Sequence, residues 1–115
     1  MKKVMEMAPE ELREALKRAD NLDALAELLF LAGSSTRLKI LYVLGTFGEV
    51  VVVDLAELLG VSVSVVVAHL KKLEHHGMVA ARRDRCHVHY RLTKCLFNRF
   101  LREDIFPQFG GWEGQ

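Results

Sequence analysis

The feature that most restricts this chain is a pair of short apolar-periodic segments separated by only two residues. Asp54-Leu55-Ala56-Glu57-Leu58-Leu59 reads as a helix stopped by Gly60. After Val61, Ser62 is placed to cap a second segment that carries Val65, Val66, His69, Leu70 and Leu73 and stops at Gly77. A serine hydroxyl accepts a backbone N–H that the first helical turn leaves unpaired. Glycine adopts the left-handed backbone that closes a helix. Two short helices joined by a glycine-containing turn form the helix-turn-helix signature. The valines opening the second segment resist helix formation slightly, because branching at Cβ restricts χ1, and Val61 to Val67 alone is compatible with a strand. Helix is favoured because Ala68-His69-Leu70-Lys71-Lys72-Leu73-Glu74 continues the segment without a breaker.

Helices are expected on the N-terminal side. One runs from Pro9 to Arg18, with Glu10 and Glu11 early and Lys17 and Arg18 late, as the helix dipole prefers. Asp20 or Asn21 is placed to cap a second, with Leu22, Leu25, Leu28, Leu29 and Ala32 at helical spacing. Gly33-Ser34-Ser35 breaks the chain, and Ser34 or Ser35 caps a buried helix with Leu38, Ile40, Leu41, Val43 and Leu44, ending near Gly45.

On the C-terminal side, Met78-Val79-Ala80-Ala81 leads into Arg82-Arg83-Asp84-Arg85. Cys86-His87-Val88-His89-Tyr90-Arg91-Leu92 then alternates, with Val88, Tyr90 and Leu92 on one face and His87, His89 and Arg91 on the other. The pattern is a β-hairpin with an arginine-rich tip. Thr93 is placed to cap a last helix whose Leu96, Phe97, Phe100, Leu101 and Ile105 form one stripe, ended by Pro107. The tail from Gly110 to Gln115 is expected to be mobile.

The order of elements makes the chain mainly α with a β-hairpin wing: a winged helix-turn-helix with extra helices at both ends. Its 115 residues suffice for one core. The expected organisation is a helical extension over 1–20, the winged-helix domain over 21–106 and a flexible tail over 107–115. No apolar run approaches the roughly 18 residues of a membrane span. No signal peptide is evident behind Lys2 and Lys3, so a cytoplasmic setting is expected, with Cys86 and Cys95 as thiols.

Charge is distributed unevenly. Residues 60–102 hold nine Lys/Arg against Glu74 and Asp84, a balance of +7, while 1–59 and 103–115 each carry −3. The second helix of the pair and the hairpin both fall in the basic segment. A helix entering the major groove reads base edges and a basic wing grips phosphate, so the polyanion implied is double-stranded DNA. An enzyme has little support: there is no Gly-rich phosphate loop, no nucleophile beside a base and no His-Glu-x-x-His zinc signature. A winged-helix module that binds proteins is the competing reading, distinguished by the absence of salt-dependent binding to duplex DNA.

Leu28 to Leu44 resembles the helix pair of ArsR-type (ArsR/SmtB) repressors, in which an Asp-Pro-Thr-Arg-like turn precedes an apolar helix. Glu49 to Ala56 is similar to their following segment. Gly60-Val61-Ser62-Val63-Ser64, His69-Leu70-Lys71-Lys72-Leu73 and Gly77-Met78-Val79 are similar to their recognition helix and its exit, and the wing ending His89-Tyr90-Arg91-Leu92 fits as well. The resemblance spans about residues 20–106. It implies a homodimeric repressor that leaves an inverted-repeat operator when an inducer, often a metal or metalloid ion, arrives. It also implies dimerisation through the terminal helices, here Leu22, Leu25, Leu29, Leu96, Phe97, Phe100, Leu101 and Ile105. Groove contacts would come from Ser62, Ser64, Val65, Val67 and Ala68. Lys71, Lys72, Arg82, Arg83, Arg85 and His87 would supply phosphate and wing contacts.

The chain also departs from the family. Metalloid-sensing members carry Cys-Val-Cys where this chain has Val51-Val52-Val53, and valine coordinates nothing. Val51 also falls near a helix start, where it is among the poorest caps. The family's site on the last helix needs histidine, and only Glu103 and Asp104 are offered there. Family members commonly have Ser and His where Val67 and Ala68 stand; apolar side chains touch thymine methyls without hydrogen bonding, so sequence specificity is expected to be weakened or altered. Remaining candidates for an inducer site are Cys86 with His87 and His89 as metal ligands, with His75 and His76 nearby, and Cys86 with Cys95 as a redox pair. The default for His87 and His89 is a solvent-facing side of the wing. The one candidate cofactor in these readings is a metal or metalloid ion acting as inducer.

Overall fold

A computed structural model describes residues 6, 8–18 and 21–109. The chain divides into two compact units, residues 1–30 and 31–115. In the first, helix α1 spans Pro9–Arg18 and α2 begins at Asn21, running Asn21–Ala32 into the second unit. Leu22, Leu25, Leu29 and Phe30 of α2 are exposed. The capping expected from Asp20 or Asn21, and the tail beyond Phe109, lie outside the described side chains.

The second unit starts with Leu31 and Ala32, which are buried. Helix α3 (Ser35–Phe47) follows, and the Ser34 hydroxyl accepts the Arg37 N–H at 3.4 Å, as the sequence implies for a cap. The helix passes through Gly45 instead of ending there. It stops at Gly48, where φ is +84° and the backbone N–H returns to the Leu44 carbonyl. A lone glycine costs an otherwise apolar helix only about 1 kcal/mol, which burial of Ile40, Leu41 and Leu44 offsets.

Val50–Val51 forms a short strand, β1, that periodicity did not reveal because two residues show no period. It pairs antiparallel with the hairpin: Val50 faces Tyr90 and Val51 faces His89. Helix α4 (Val52–Leu59) begins at once, with Val51 as an N-cap that makes no side-chain hydrogen bond. Val52, Leu55 and Ala56 are buried, so packing rather than capping holds this helix. Gly60 closes it with φ +68° and ψ 31°, a left-handed geometry natural to glycine.

Helix α5 (Val63–His75) settles the ambiguity of the valine run in favour of helix. Ser62 accepts the Val65 N–H at 3.2 Å, and Val66, Leu70 and Leu73 repeat at helical spacing into the core. The hairpin is β2 (Val79–Asp84) and β3 (His87–Leu92), and the sheet order is β1-β3-β2. Register runs from Val79 opposite Leu92 to Asp84 opposite His87, leaving Arg85-Cys86 as a two-residue turn with Arg85 at φ +57°. The basic stretch is therefore mostly strand: only Arg85 stands at the tip.

The last helix is shorter than its apolar stripe. Helix α6 covers Leu96–Phe100; Leu101–Ile105 is a wider π turn and Phe106–Gln108 a tight 3-10 turn containing Pro107. The Phe106 N–H reaches five residues back to the Leu101 carbonyl, ahead of a proline that has no N–H to continue the ladder. Thr93 does not cap α6. Cys95 occupies that position without a side-chain bond, and the Thr93 hydroxyl donates instead to the Gly77 carbonyl at 2.6 Å.

Candidate nucleic-acid interface

Helix α5 presents two distinct faces beside its buried one. Ser64, Val65, Ala68, Lys71 and Lys72 are exposed and recur at helical spacing, so small side chains and two ammonium groups share one outward stripe. Ser62, at the cap, is exposed as well, with its hydroxyl 3.2 Å from that of Ser64. Val67 departs from the expected set. It is half-buried and turned with Val63 toward the wing, lining a cleft with Val53 and Val88. The stripe is polar, short-chained and cationic toward its C-terminal end, which suits entry into a groove flanked by phosphates.

The wing is anchored by a carboxylate. Arg82 on β2 donates from Nε to both Glu49 oxygens at 3.1 and 3.3 Å and from its terminal nitrogen at 2.6 Å. His89 on β3 places Nδ1 3.6 Å from the same carboxylate. Glu49 immediately precedes β1 and so ties both hairpin strands to the body of the unit. Hydrogen bonds from the Arg82 guanidinium, reinforced by its charge, hold the Glu49 carboxyl below its ordinary value, and the pairing raises Arg82 in turn. Arg82 is thus held by a carboxylate and not freely presented for phosphate, unlike the expectation for it. Arg83, Arg85 and His87 are exposed on the wing. His89 is half-buried, so the two wing histidines do not share a solvent-facing side equally.

A second link fixes α5 itself. Arg37 on α3 donates from Nε to Nδ1 of His69 at 3.1 Å and from a terminal nitrogen to the Leu31 carbonyl at 2.9 Å. Accepting at Nδ1 requires an imidazole that is neutral with its proton on Nε2. Burial, then the charges of Arg37 and Lys72, lower the His69 pKa, which keeps it in that form.

Inducer-binding candidates fare differently. Val51 is half-buried and strand-paired, and Val53 is exposed; neither has a donor atom, so the family's thiolate set does not fit here. Among the described residues, no three His, Cys, Asp or Glu side chains come together as a metal ion requires. Cys86, His87 and His89 are thus not gathered into a ligand set; the rings of His87 and His89 lie 6.5 Å apart between centroids. Cys86 sits in the hairpin turn and Cys95 beyond the far end of β3, six residues or about 20 Å of extended strand away. A disulfide needs Cα atoms within about 7 Å, so these two thiols do not pair within one chain.

The match to known proteins follows the same elements. The model of "Bacterial regulatory protein, arsR family" matches residues 34–81, from the cap of α3 to the middle of β2. The homodimeric winged helix-turn-helix DNA-binding domain of Mb0332 from Mycobacterium bovis, described as a possible ArsR-family transcriptional regulator, is 32% identical. That match covers 66% of this chain and 69% of that one at a TM-score of 0.60. The chain belongs to the ArsR family. Two further solved structures of similar fold extend the likeness. NolR from Sinorhizobium fredii is 26% identical over 96% of this chain and 98% of its own, with a TM-score of 0.66. The transcriptional repressor BigR from Xylella fastidiosa is 27% identical over 84% and 94%, with a TM-score of 0.67. No curated protein sequence matches the chain. As an ArsR-family winged-helix protein it is a DNA-binding transcriptional regulator, and its relatives are regulators rather than enzymes.

The apolar stripe at the C-terminal end divides. Phe97 and Leu101 are buried in their own chain and Ile105 is half-buried, whereas Leu96 and Phe100 are exposed. Three residues that organise the interface are not among those expected from the sequence. Glu49 showed no signal, since its partner lies 33 residues away. His69 counted only as part of an apolar face. Asn98 did carry one: it is polar within the stripe from Phe97 to Leu101, and it is fully buried. Its amide donates to the Met78 carbonyl at 2.7 Å and to the Thr93 carbonyl at 3.1 Å, joining α6 to the root of the wing.

Proposed function

We propose that this ArsR-family protein is a cytoplasmic homodimeric repressor that binds an inverted-repeat operator through α5 and the wing and is released by an inducer. The observation that carries this reading is the exposed stripe of Ser64, Val65, Ala68, Lys71 and Lys72 on α5, adjoined in sequence by a wing exposing Arg83, Arg85 and His87. Ser62 and Ser64 reach base edges or phosphate, Val65 and Ala68 contact thymine methyls, and the lysines and arginines bind phosphate. With so few hydrogen-bonding groups on the reading face, phosphate contacts dominate affinity and sequence discrimination is modest. The exposed Leu22, Leu25 and Leu29 of α2, and Leu96 and Phe100 of α6, supply apolar surface for the second subunit. The homodimeric state named for the Mycobacterium bovis relative supports this assignment. The inducer is not a soft metal or metalloid bound at Val51 and Val53, which have no ligand atoms.

Fluorescence anisotropy on the protein's own promoter duplex tests the reading, with salt varied and with arsenite, cadmium and zinc added in turn. Binding that weakens steeply with salt and persists with every ion is the expected result. Salt-independent or absent binding would make the chain a protein-interaction module. Release by an ion would place a sensor at Cys86, Cys95 or the wing histidines.

A further inference from the structure

The cleft between α5 and the wing has the chemistry of a ligand site that DNA reading does not need. Its volume is about 310 Å³, within the size range of small-molecule pockets. Val51 from β1, Val53 from α4, Val63 and Val67 from α5, and Val88 from β3 line it. These branched side chains have few rotamers and no polar atoms, so this part of the lining is apolar, while Cys86 and His87 border it from the hairpin end. Tyr90, almost wholly buried, also lines it.

Charge within the cleft is of one sign. Lys71 from α5 and Arg83 from β2 both line it, and among the described residues no Asp or Glu does. Lys71 has only a loose partner, Glu74 at 3.8 Å, and is itself two-thirds exposed at 67%. Arg83 has no carboxylate partner among the described residues, in contrast to Arg82 beside it. An apolar cavity with two cations from different elements is complementary to a small amphipathic anion: a hydrocarbon tail among valines and a carboxylate between ammonium and guanidinium.

We propose that the α5–wing cleft binds a medium-chain or aromatic monocarboxylate, and that this ligand is the inducer. The proposal rests on the DNA-binding reading above and supplies the inducer class that reading leaves open. Lys71 and Arg83 are among the groups assigned to DNA phosphates, so a carboxylate held between them competes with the operator directly. The tail also fixes the spacing of wing and recognition helix, two elements that must conform together to the duplex. The valines that replace a thiolate set are then the lining of an organic-ligand site.

Octanoate is the probe, with octanol lacking the charge and acetate lacking the tail. Titration calorimetry on the DNA-free protein is expected to show saturable octanoate binding, with neither octanol nor acetate matching it. At about 1 mM, octanoate is expected to weaken promoter binding about tenfold, a typical size for coupling between two ligands. Val53→Trp fills the cleft at a position more than half exposed, where the fold tolerates substitution, and is expected to abolish octanoate binding. Leu38→Trp alters a separate apolar groove between α3 and the C-terminal turn and is expected to leave octanoate binding unchanged. The inference is overturned if octanoate gives no heat, if octanol acts equally, or if Val53→Trp still binds while Leu38→Trp does not. It is overturned also if octanoate binds without loosening DNA. Failure to bind duplex DNA without any ligand would instead refute the DNA-binding reading, and calorimetry would still judge the cleft.

Discussion

Replacing Asn98 probes the joint between the helix offered for dimerisation and the hairpin offered to DNA. Its side chain is fully buried, and its amide nitrogen serves the Met78 carbonyl, the Thr93 carbonyl and, at 3.2 Å, the Thr93 hydroxyl. In Asn98→Ala the Met78 carbonyl keeps the Thr93 N–H at 3.1 Å, so the main orphan is the Thr93 carbonyl. Loss of net hydrogen bonding at about 1 kcal/mol, plus about 1 kcal/mol for leaving the part-buried Thr93 carbonyl unpaired, gives a cost of about 2 kcal/mol. For a chain of this length that lowers Tm by about 8 °C. Urea denaturation followed by circular dichroism measures it, with Asn98→Asp as the decisive companion. A carboxylate there turns acceptors toward two carbonyls, so Asp is expected to cost more than Ala despite its better match in volume. A cost below about 1 kcal/mol for Ala, or an Asp variant as stable as Ala, would refute the hydrogen-bond argument and leave only packing.

Other consequences are open to direct test. Arg83→Gln is expected to weaken specific and non-specific DNA binding alike and to flatten the salt dependence by about one unit of slope, whereas Arg82→Gln changes the slope less because Glu49 already holds that guanidinium. Equal slopes for the two variants would show that DNA displaces Glu49. The lowered pKa of His69 means that the unfolded chain takes up this proton first as pH falls below about 6.5. Stability from this site is therefore full above that pH and declines below it. The urea midpoint should drop between about pH 7.5 and 5.5, and His69→Gln should remove part of the drop. Gly60→Ala is expected to cost about 1 kcal/mol by thermal melt, entirely through its positive φ, because an added Cβ meets nothing within 4 Å. A neutral result would mean that the turn relaxes.

Much of this molecule follows from short-range chemistry that a sequence displays. Ser34 and Ser62 accept the N–H groups their positions imply, Gly60 closes α4, and the alternation from His87 to Leu92 is a strand. These signals are local: a cap, a breaker or a period acts within a few residues, so the order of elements and the winged helix-turn-helix were legible. The uncapped start of α4 at Val51 was legible too, as a local rule left unmet.

What only the tertiary structure decided involves partners distant in sequence. Val50 and Val51 became a strand because Tyr90 and His89 offered edge hydrogen bonds, not because two valines specify one. Arg82 looked like any other wing arginine until Glu49 was found against it, and Val67 looked like a groove-reading residue until the wing closed beside it. Phe97 and Leu101 turned inward while Leu96 and Phe100 stayed out, two neighbouring i,i+4 pairs of which packing chose one for the core. Period and capping are properties of neighbouring residues and fix which elements form. Pairing, burial and the sharing of charge depend on which surfaces meet, and that is fixed only when the elements pack.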